Sequence, residues 1–199
     1  TFLLWTGGAN PHRTLADLLA HARRRSGGAS YATLGNGHAS HVAMETFARA
    51  AGVQMLHVPF KDAGAMLVAV AAGEVDVTPI GMNSVAGLMA SGRLRPLAVA
   101  ARQRLASHPA IPTLPEAGGP PVEMHPWAGL VAPAGTPAAV LAQLQDDLLA
   151  ALAAPELRQR TEQAGFELTP GTPQAMRDRM AADRSVVQPL LDEGRITRF

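Results

Sequence analysis

The chain contains no cysteine, and it is also poor in aromatic and charged residues. Without cysteine there is no disulfide, no thiolate nucleophile and no cysteine-ligated metal centre. Aromatic residues make up 4% and charged residues 17% of the 199 residues, and the formal net charge is +1. This composition lacks the basic patch and the interleaved aromatic residues of nucleic-acid-binding proteins, so we expect no nucleic acid partner.

Long apolar runs are missing as well. No uninterrupted apolar segment approaches the roughly 18 residues that span a bilayer, although hydrophobic residues make up 47% of the chain. The first residues, Thr1 to Trp5, are too short an apolar stretch for a signal peptide, and the chain does not begin with Met. We therefore expect a globular protein whose chain is a processed or truncated product.

Strand patterns and helix patterns alternate over the first hundred residues, which predicts βαβ units and a mostly parallel sheet. The predicted strands are residues 2–5, 30–33, 53–58, 75–78 and 94–100. The predicted helices are a first one capped by Thr14 and running to residue 25, then residues 39–51, 63–72 and 84–90. The rest of the sequence, after residue 126, predicts strands at residues 127–131 and 166–168 and helices at residues 137–153, 155–164 and 173–191.

A glycine-rich turn, Gly35-Asn36-Gly37, lies between a predicted strand and a predicted helix. Glycine allows the tight turn, and a helix start presents unpaired N–H groups and the positive end of the helix dipole. This pattern predicts a seat for a carboxylate or a phosphate. The turns after the next three strands belong to the same edge of the sheet, where open α/β sheets bind ligands. Lys61, the only lysine of the chain, ends one of those strands.

Six segments resemble, in order and at matching spacing, the substrate-binding proteins of tripartite tricarboxylate transporters, the Bug-type periplasmic receptors. The first is YATLGNG at residues 31–37, followed by His41 and Glu45. The others are VPFK at residues 58–61, GEVD at 73–76, GRLRPLAV at 92–99, PTLPEAG at 112–118 and WAGLVAPAGTP at 127–137.

The resemblance implies a periplasmic-binding-protein-like α/β fold, in which a small organic anion binds in a cleft between two lobes and is delivered to membrane transporter subunits. It implies a receptor in the periplasm rather than an enzyme, with no cofactor. Mapped onto this sequence, the anion seat and its neighbouring loops predict the following ligand-binding residues: Gly35, Asn36, Gly37, His38, Ala39, Ser40, His41, Pro59, Phe60, Lys61, Asp62, Thr78 and Ser84.

This chain departs from the family pattern at two positions, and it is shorter than the family's members. Asp62 stands where the family usually has glycine, and Ile80 stands where many members carry Asp, which argues against amino-acid ligands. Family members also carry roughly a hundred further residues at the amino-terminal side. We therefore expect residues 1–127 to form a complete second lobe and residues 128–199 an incomplete part of the first. Helix faces left uncovered in that part predict self-association.

Two other functions stay open at this point. The two-lobed architecture is shared by the ligand-sensing domains of LysR-type regulators, although no helix-turn-helix is present here. His38, His41 and Glu45 share one face of the predicted helix at spacings of three and four residues, a set that could ligate zinc in a metalloenzyme. No further ligand at motif spacing completes that set, so we expect no metal, and we expect His41 and Glu45 to form a local hydrogen-bonded pair.

Overall fold

The computed structural model describes residues 1–163 and 167–197, and over these residues it contains five β-strands and seven α-helices. The strands are β1 (Leu3–Gly7), β2 (Ala29–Thr33), β3 (Met55–Pro59), β4 (Thr78–Ile80) and β5 (Leu94–Val99). The helices are α1 (Leu15–Arg24), α2 (Ala39–Ala50), α3 (Ala63–Ala71), α4 (Ala86–Ala90), α5 (Ala138–Ala153), α6 (Pro155–Gln163) and α7 (Pro173–Asp192). A single 3-10 turn, Met82–Ser84, precedes α4 in this part of the chain.

The sheet runs mostly parallel, as predicted, with one strand reversed. β2 and β3 pair in parallel, and a parallel bridge between Tyr31 and Val77 links β2 to the segment that leads into β4. β1 lies between β4 and β5 and is antiparallel to both, with Leu3 opposite Ile80 and Val99. The apolar run at residues 2–5 predicted a buried strand, but such a run carries no information on strand direction.

Helices cover both faces of the sheet because successive strand side chains point to opposite sides. On one face, Leu4 belongs to a buried cluster with Leu18 of α1 and Phe47 of α2. On the other face, Trp5 belongs to a cluster with Met66 of α3. The predicted capping box at the start of α1 is present: the Thr14 side chain accepts from the N–H of Asp17, whose carboxylate accepts from the N–H of Thr14.

The chain divides into two compact units. The first consists of Thr1–Pro126 together with Ser185–Phe199, and it holds the whole sheet. The second is Trp127–Arg184, so the division near residue 127 falls where the composition of the sequence changes. The described residues from 185 to 197 belong to the first unit, whereas the sequence interpretation grouped them with residues 128–184. The assignment of the units to lobes of a longer receptor stays a prediction.

The second unit is helical over its described residues. The predicted strand at residues 127–131 is irregular, and Leu130 and Val131 are 75% and 81% exposed. Among the described residues of that unit there is no other strand with which it could pair. Trp127 instead donates its indole N–H to a carboxylate oxygen of Asp183 at 2.6 Å. The predicted strand at residues 166–168 begins outside the described residues, as does the predicted end of α6 at residue 164; residues 167 and 168 are irregular.

Over the described residues, no helix combines the length and the hydropathy that crossing a membrane would require.

Candidate functional site

Four strands of the first unit point the same way, so their carboxyl ends meet at one edge of the sheet. β2 ends at Thr33, β3 at Pro59 and β4 at Ile80, and the predicted binding loops follow these strands directly. The structure therefore brings the glycine-rich turn, residues 59–62 and residues 81–84 to the edge where α/β sheets bind ligands.

The glycine-rich turn needs its glycines. Gly35 has φ 111° and Gly37 has φ 69°, conformations that side chains with a Cβ rarely adopt. The turn passes directly into α2, whose N-cap residue is His38. Sequence reasoning predicted this strand, turn and helix start correctly.

Most polar groups of the turn bond within the turn itself. The N–H of Gly37 donates to Nδ1 of His41 at 3.1 Å, and the N–H of Ser40 donates to Nδ1 of His38 at 3.1 Å. The N–H of Leu34 donates to the buried hydroxyl of Ser40 at 3.3 Å. Among residues 1–163 and 167–197, no acceptor is found for the N–H groups of Asn36 and Ala39. The N–H groups open to a ligand are thus fewer than the pattern of the sequence implied.

Three rings stack beneath the turn. The centroids of His41 and His57 lie 3.8 Å apart, and those of Tyr31 and His57 lie 5.1 Å apart. Burial lowers the pKa of His41, and burial together with the neighbouring His41 lowers the pKa of His57 to about 4. The Thr33 hydroxyl lies 2.5 Å from Nε2 of His57. Neutral imidazoles therefore support the turn at pH 7 and leave its hydrogen bonds undisturbed by charge.

Glu45 does not pair with His41, so that part of the sequence interpretation was wrong. One turn further along α2, its carboxylate accepts instead from the Tyr31 hydroxyl and from Nη1 of Arg195, the latter at 3.0 Å. Burial and the Glu45 carboxylate raise the pKa of Tyr31, which keeps the phenol protonated as a donor. His38, His41 and Glu45 all have local partners and do not form a metal-ligating group in the described part of the chain.

Residues 193–197 contact the turn and α2, a feature that sequence reasoning missed. Asn36 donates from Nδ2 to the Thr197 hydroxyl at 2.6 Å, and Arg49 pairs with Glu193 at 2.7 Å. These partners lie more than 140 positions apart in the chain. The pair of acidic residues shortly before Arg195 is the only local signal, and such charge patterns are common on solvated surfaces.

The loop after β3 combines an exposed cation with a helix cap. Phe60 donates its N–H to the carbonyl of Thr33 at 2.8 Å, which ties the loop to β2. Lys61 is exposed, and no ion pair to it is found among the described residues. Asp62 replaces the family glycine as the N-cap of α3, since its carboxylate accepts from the N–H of Ala65 at 2.8 Å. Pro59 is the exposed last residue of β3.

Thr78 and Ser84 occupy different environments. Thr78 is fully buried in β4, and its hydroxyl donates to the carbonyl of Ala32 at 3.0 Å, so its polar group serves the sheet. Ser84 is exposed in the 3-10 turn after β4. At the end of β5, Arg102 and Arg104 pair with Glu123 and Glu116 at 2.6 and 2.8 Å. Of the cations near this edge, Lys61 is the one whose ammonium faces solvent with no described partner.

Comparison with known proteins decides the family. The sequence profile of the tripartite tricarboxylate transporter family receptor matches residues 1–193. The chain belongs to this receptor family. A UPF0065 protein encoded in the tcbD-tcbE intergenic region of Pseudomonas sp. (strain P51) is 32% identical over 185 residues, which are 92% of this chain and 55% of that relative.

Two solved structures with bound acids are similar over nearly all of the chain. R. palustris Rpa4515 with adipate has a TM-score of 0.84 and 29% identity, with 100% of this chain and 66% of that chain covered. MatC from Rhodopseudomonas palustris with bound malate has a TM-score of 0.77 and 25% identity, with 94% and 66% covered. The resemblance drawn from the motifs and the α/β fold of periplasmic binding proteins are thus confirmed. The chain spans about half the length of the curated relatives it matches.

Proposed function

We propose that this chain carries the anion-binding part of a solute receptor that captures a small organic acid through its carboxylate. The observation that carries the proposal is the start of α2, where the N–H groups of Asn36 and Ala39 have no acceptor among the described residues. A helix of 12 residues places the positive end of its dipole at the same point. Related receptors hold adipate and malate, which are both dicarboxylates.

Lys61 complements these N–H groups. Lys61 lies two residues beyond the end of β3 and is exposed, so its ammonium can approach an anion that docks at the carboxyl edge of the sheet. A charge-assisted contact is about twice as strong as a neutral hydrogen bond. Asp62 does not cancel this attraction fully, because its carboxylate is engaged by the N–H of Ala65 at the start of α3.

The family supports the finer parts of the proposal. Receptors of this class serve tripartite tricarboxylate transporters, so the partners proposed here are the membrane subunits of such a transporter, and the site of action is the periplasm. The family match also favours a receptor over the sensing domain of a LysR-type regulator. A metalloenzyme built on His38 and His41 is disfavoured because both Nδ1 atoms already accept from backbone N–H groups, that of Ser40 for His38 and that of Gly37 for His41.

The proposal is tested by titrating the isotope-labelled chain with adipate while the amide resonances are followed by NMR. This readout detects weak binding and reports on each N–H group separately. We expect the amides of Asn36 and Ala39 to shift most, because they would donate to the carboxylate. Adipamide, which has the same length without charge, is the matched control and is expected to cause little change.

Shifts that are confined to other regions of the chain, or equal effects of adipate and adipamide, would show that the anion seat is elsewhere. A titration with malate then compares a shorter dicarboxylate at the same amides. If one of the two acids shifts these amide resonances more at equal concentration, the site prefers a dicarboxylate of that length.

A further inference from the structure

A second polar cluster lies at the opposite edge of the sheet. Asp76 lies two residues before the amino-terminal end of β4, and His12 follows β1, which runs antiparallel to β4. His21 extends from α1 toward the same place, and its ring centroid lies 4.2 Å from that of His12. One ligand atom from each of His12, His21 and Asp76 lies within 4.8 Å of the other two.

Asp76 is oriented by Ser30. One carboxylate oxygen, Oδ2, accepts from the N–H and from the hydroxyl of Ser30 at 2.8 and 2.7 Å. The other oxygen, Oδ1, faces Nε2 of His12 at 3.6 Å, too far for a hydrogen bond. Burial acts to raise the pKa of Asp76, but the hydrogen bonds from Ser30 outweigh it, so the pKa is lowered and the carboxylate stays ionised.

In the described part of the chain, one of the two histidines has a ring nitrogen without a partner. Nε2 of His21 is buried and has no hydrogen-bond partner among the described residues, which is costly for a polar atom. Zinc is commonly bound by imidazole nitrogens and carboxylate oxygens, and this cluster places two imidazoles beside one carboxylate.

We propose that His12, His21 and Asp76 form a binding site for a divalent transition metal, with zinc as the best match. Two imidazole nitrogens and one carboxylate oxygen suit zinc, which is bound at about 2.0–2.2 Å and accepts water as a fourth ligand. Nε2 of His12 and Oδ1 of Asp76 are 3.6 Å apart, a separation that fits two neighbouring ligands of one metal ion. The bond from Ser30 supplies the outer support that metal-ligating carboxylates commonly have.

The guanidinium of Arg25 is a positive charge close to the proposed site, and it would repel a bound metal cation. Its Nη1 lies 3.6 Å from Oδ2 of Asp76, the oxygen already held by Ser30, and its side chain is 50% exposed. The guanidinium can therefore turn into solvent while Oδ1 binds the metal. A bound metal would fasten the loop that contains His12 to the end of α1 and to the start of β4.

The experiment is calorimetric titration of the tag-free, metal-free chain with zinc chloride, in parallel with the variants His12→Gln and His21→Gln. We expect one zinc ion per chain, and a loss of affinity of at least about tenfold in each variant. The matched controls are His41→Gln and His57→Gln, which change the other histidine pair and are expected to keep the affinity. Circular dichroism checks that every variant is folded.

X-ray absorption on the zinc-loaded parent chain provides a test that needs no variant. Two imidazoles in the first coordination shell are expected. The proposal is overturned by a stoichiometry well below one, by a shell without two imidazoles, or by loss of affinity in His41→Gln and His57→Gln with His12→Gln unaffected. Because adipate binding is measured separately at the other edge of the sheet, failure here leaves the proposed receptor function untouched.

Discussion

Gly37 donates its backbone N–H to Nδ1 of His41 across 3.1 Å, so a ring from the first turn of α2 holds the turn that precedes it. Because this donor is committed, we expect Gly37 to shape the proposed anion seat without contacting the anion. The neighbouring N–H groups of Asn36 and Ala39 are aimed by that shape. Changes at Gly37 and His41 therefore act on binding through geometry.

Gly37→Val is expected to weaken adipate binding by at least about fivefold. Gly37 has φ 69°, and a β-branched residue held in that region costs on the order of 1–3 kcal/mol, so the turn will rearrange and re-aim its amides. The control is Gly92→Val, at φ 70° near the amino end of β5, where a Cβ meets no atom within 4 Å. Gly92→Val introduces the same backbone strain at the opposite edge of the sheet, so it should leave adipate binding unchanged. Equal affinities of Gly37→Val and the parent chain would argue against this seat.

Lys61→Met is expected to weaken adipate binding by about 1 kcal/mol, or roughly fivefold, because an ammonium is lost beside the carboxylate. The parent chain should lose affinity as salt is raised, and the variant should lose less. Arg23→Met removes an exposed cation from the end of α1 and serves as the control. An identical salt dependence in the parent chain and in Lys61→Met would remove Lys61 from the site.

Sequence reasoning located the elements and the edge well, since local patterns determine both. The Thr14 cap, the glycine-rich turn and the order of strands and helices all follow from spacing and turn chemistry within a few residues. The motif series identified the family for the same reason: its segments lie in order along the chain.

What sequence reasoning missed depends on partners distant in the chain. The reversal of β1 is decided by which strands flank it. Spacing along the helix predicted a pair between Glu45 and His41, but the partner of Glu45 is Arg195, which lies 150 positions away in the chain. The cluster of His12, His21 and Asp76 joins three segments that no motif spacing connects. Such contacts are set by topology, which local periodicity does not encode.

Protonation of His57 should destabilise the fold below neutral pH. Its pKa is about 4 in the folded chain and 6.5 ordinarily, so the unfolded chain binds the proton more readily between these values. The contribution to stability is complete above pH 6.5 and declines as pH falls toward 4. We expect the difference in urea midpoint between pH 7 and pH 5 to be smaller in His57→Gln than in the parent chain. The control is His108→Gln, because His108 lies in a loop outside the stacked rings of Tyr31, His41 and His57. This variant should show the same difference in urea midpoint as the parent chain.

Arg195→Met should destabilise the chain by about 2 kcal/mol, because it leaves the buried Glu45 carboxylate without its cation. Arg49→Met breaks a more exposed ion pair with Glu193 and should cost less than about 1 kcal/mol. Urea unfolding at pH 7 measures both. Adding Glu45→Gln to Arg195→Met should restore part of the loss, since no buried charge then remains. If Arg195→Met lowers the free energy of unfolding no more than Arg49→Met does, then the ion pair between Glu45 and Arg195 is exposed to solvent.

The helices of the second unit expose apolar side chains. No residue of α5 is buried, and Leu141 and Leu144 are 44% and 53% exposed. In α7, Met180 is 52% exposed. Exposed apolar side chains that form a contiguous patch commonly drive association, and Leu141 and Leu144 are one helical turn apart on α5.

We therefore expect the 199-residue chain to self-associate with rising concentration, as light scattering would show. The double variant Leu141→Glu with Leu144→Glu should shift the chain toward monomer, because it replaces exposed apolar area by charge. Gln143→Glu with Gln145→Glu adds the same two charges to α5 and removes no apolar side chain, so it separates the two effects. If both double variants reduce association equally, repulsion between charges is the cause, and the apolar face of α5 is not the contact. A parent chain that stays monomeric up to high concentration would show that this exposed face does not bind a second copy.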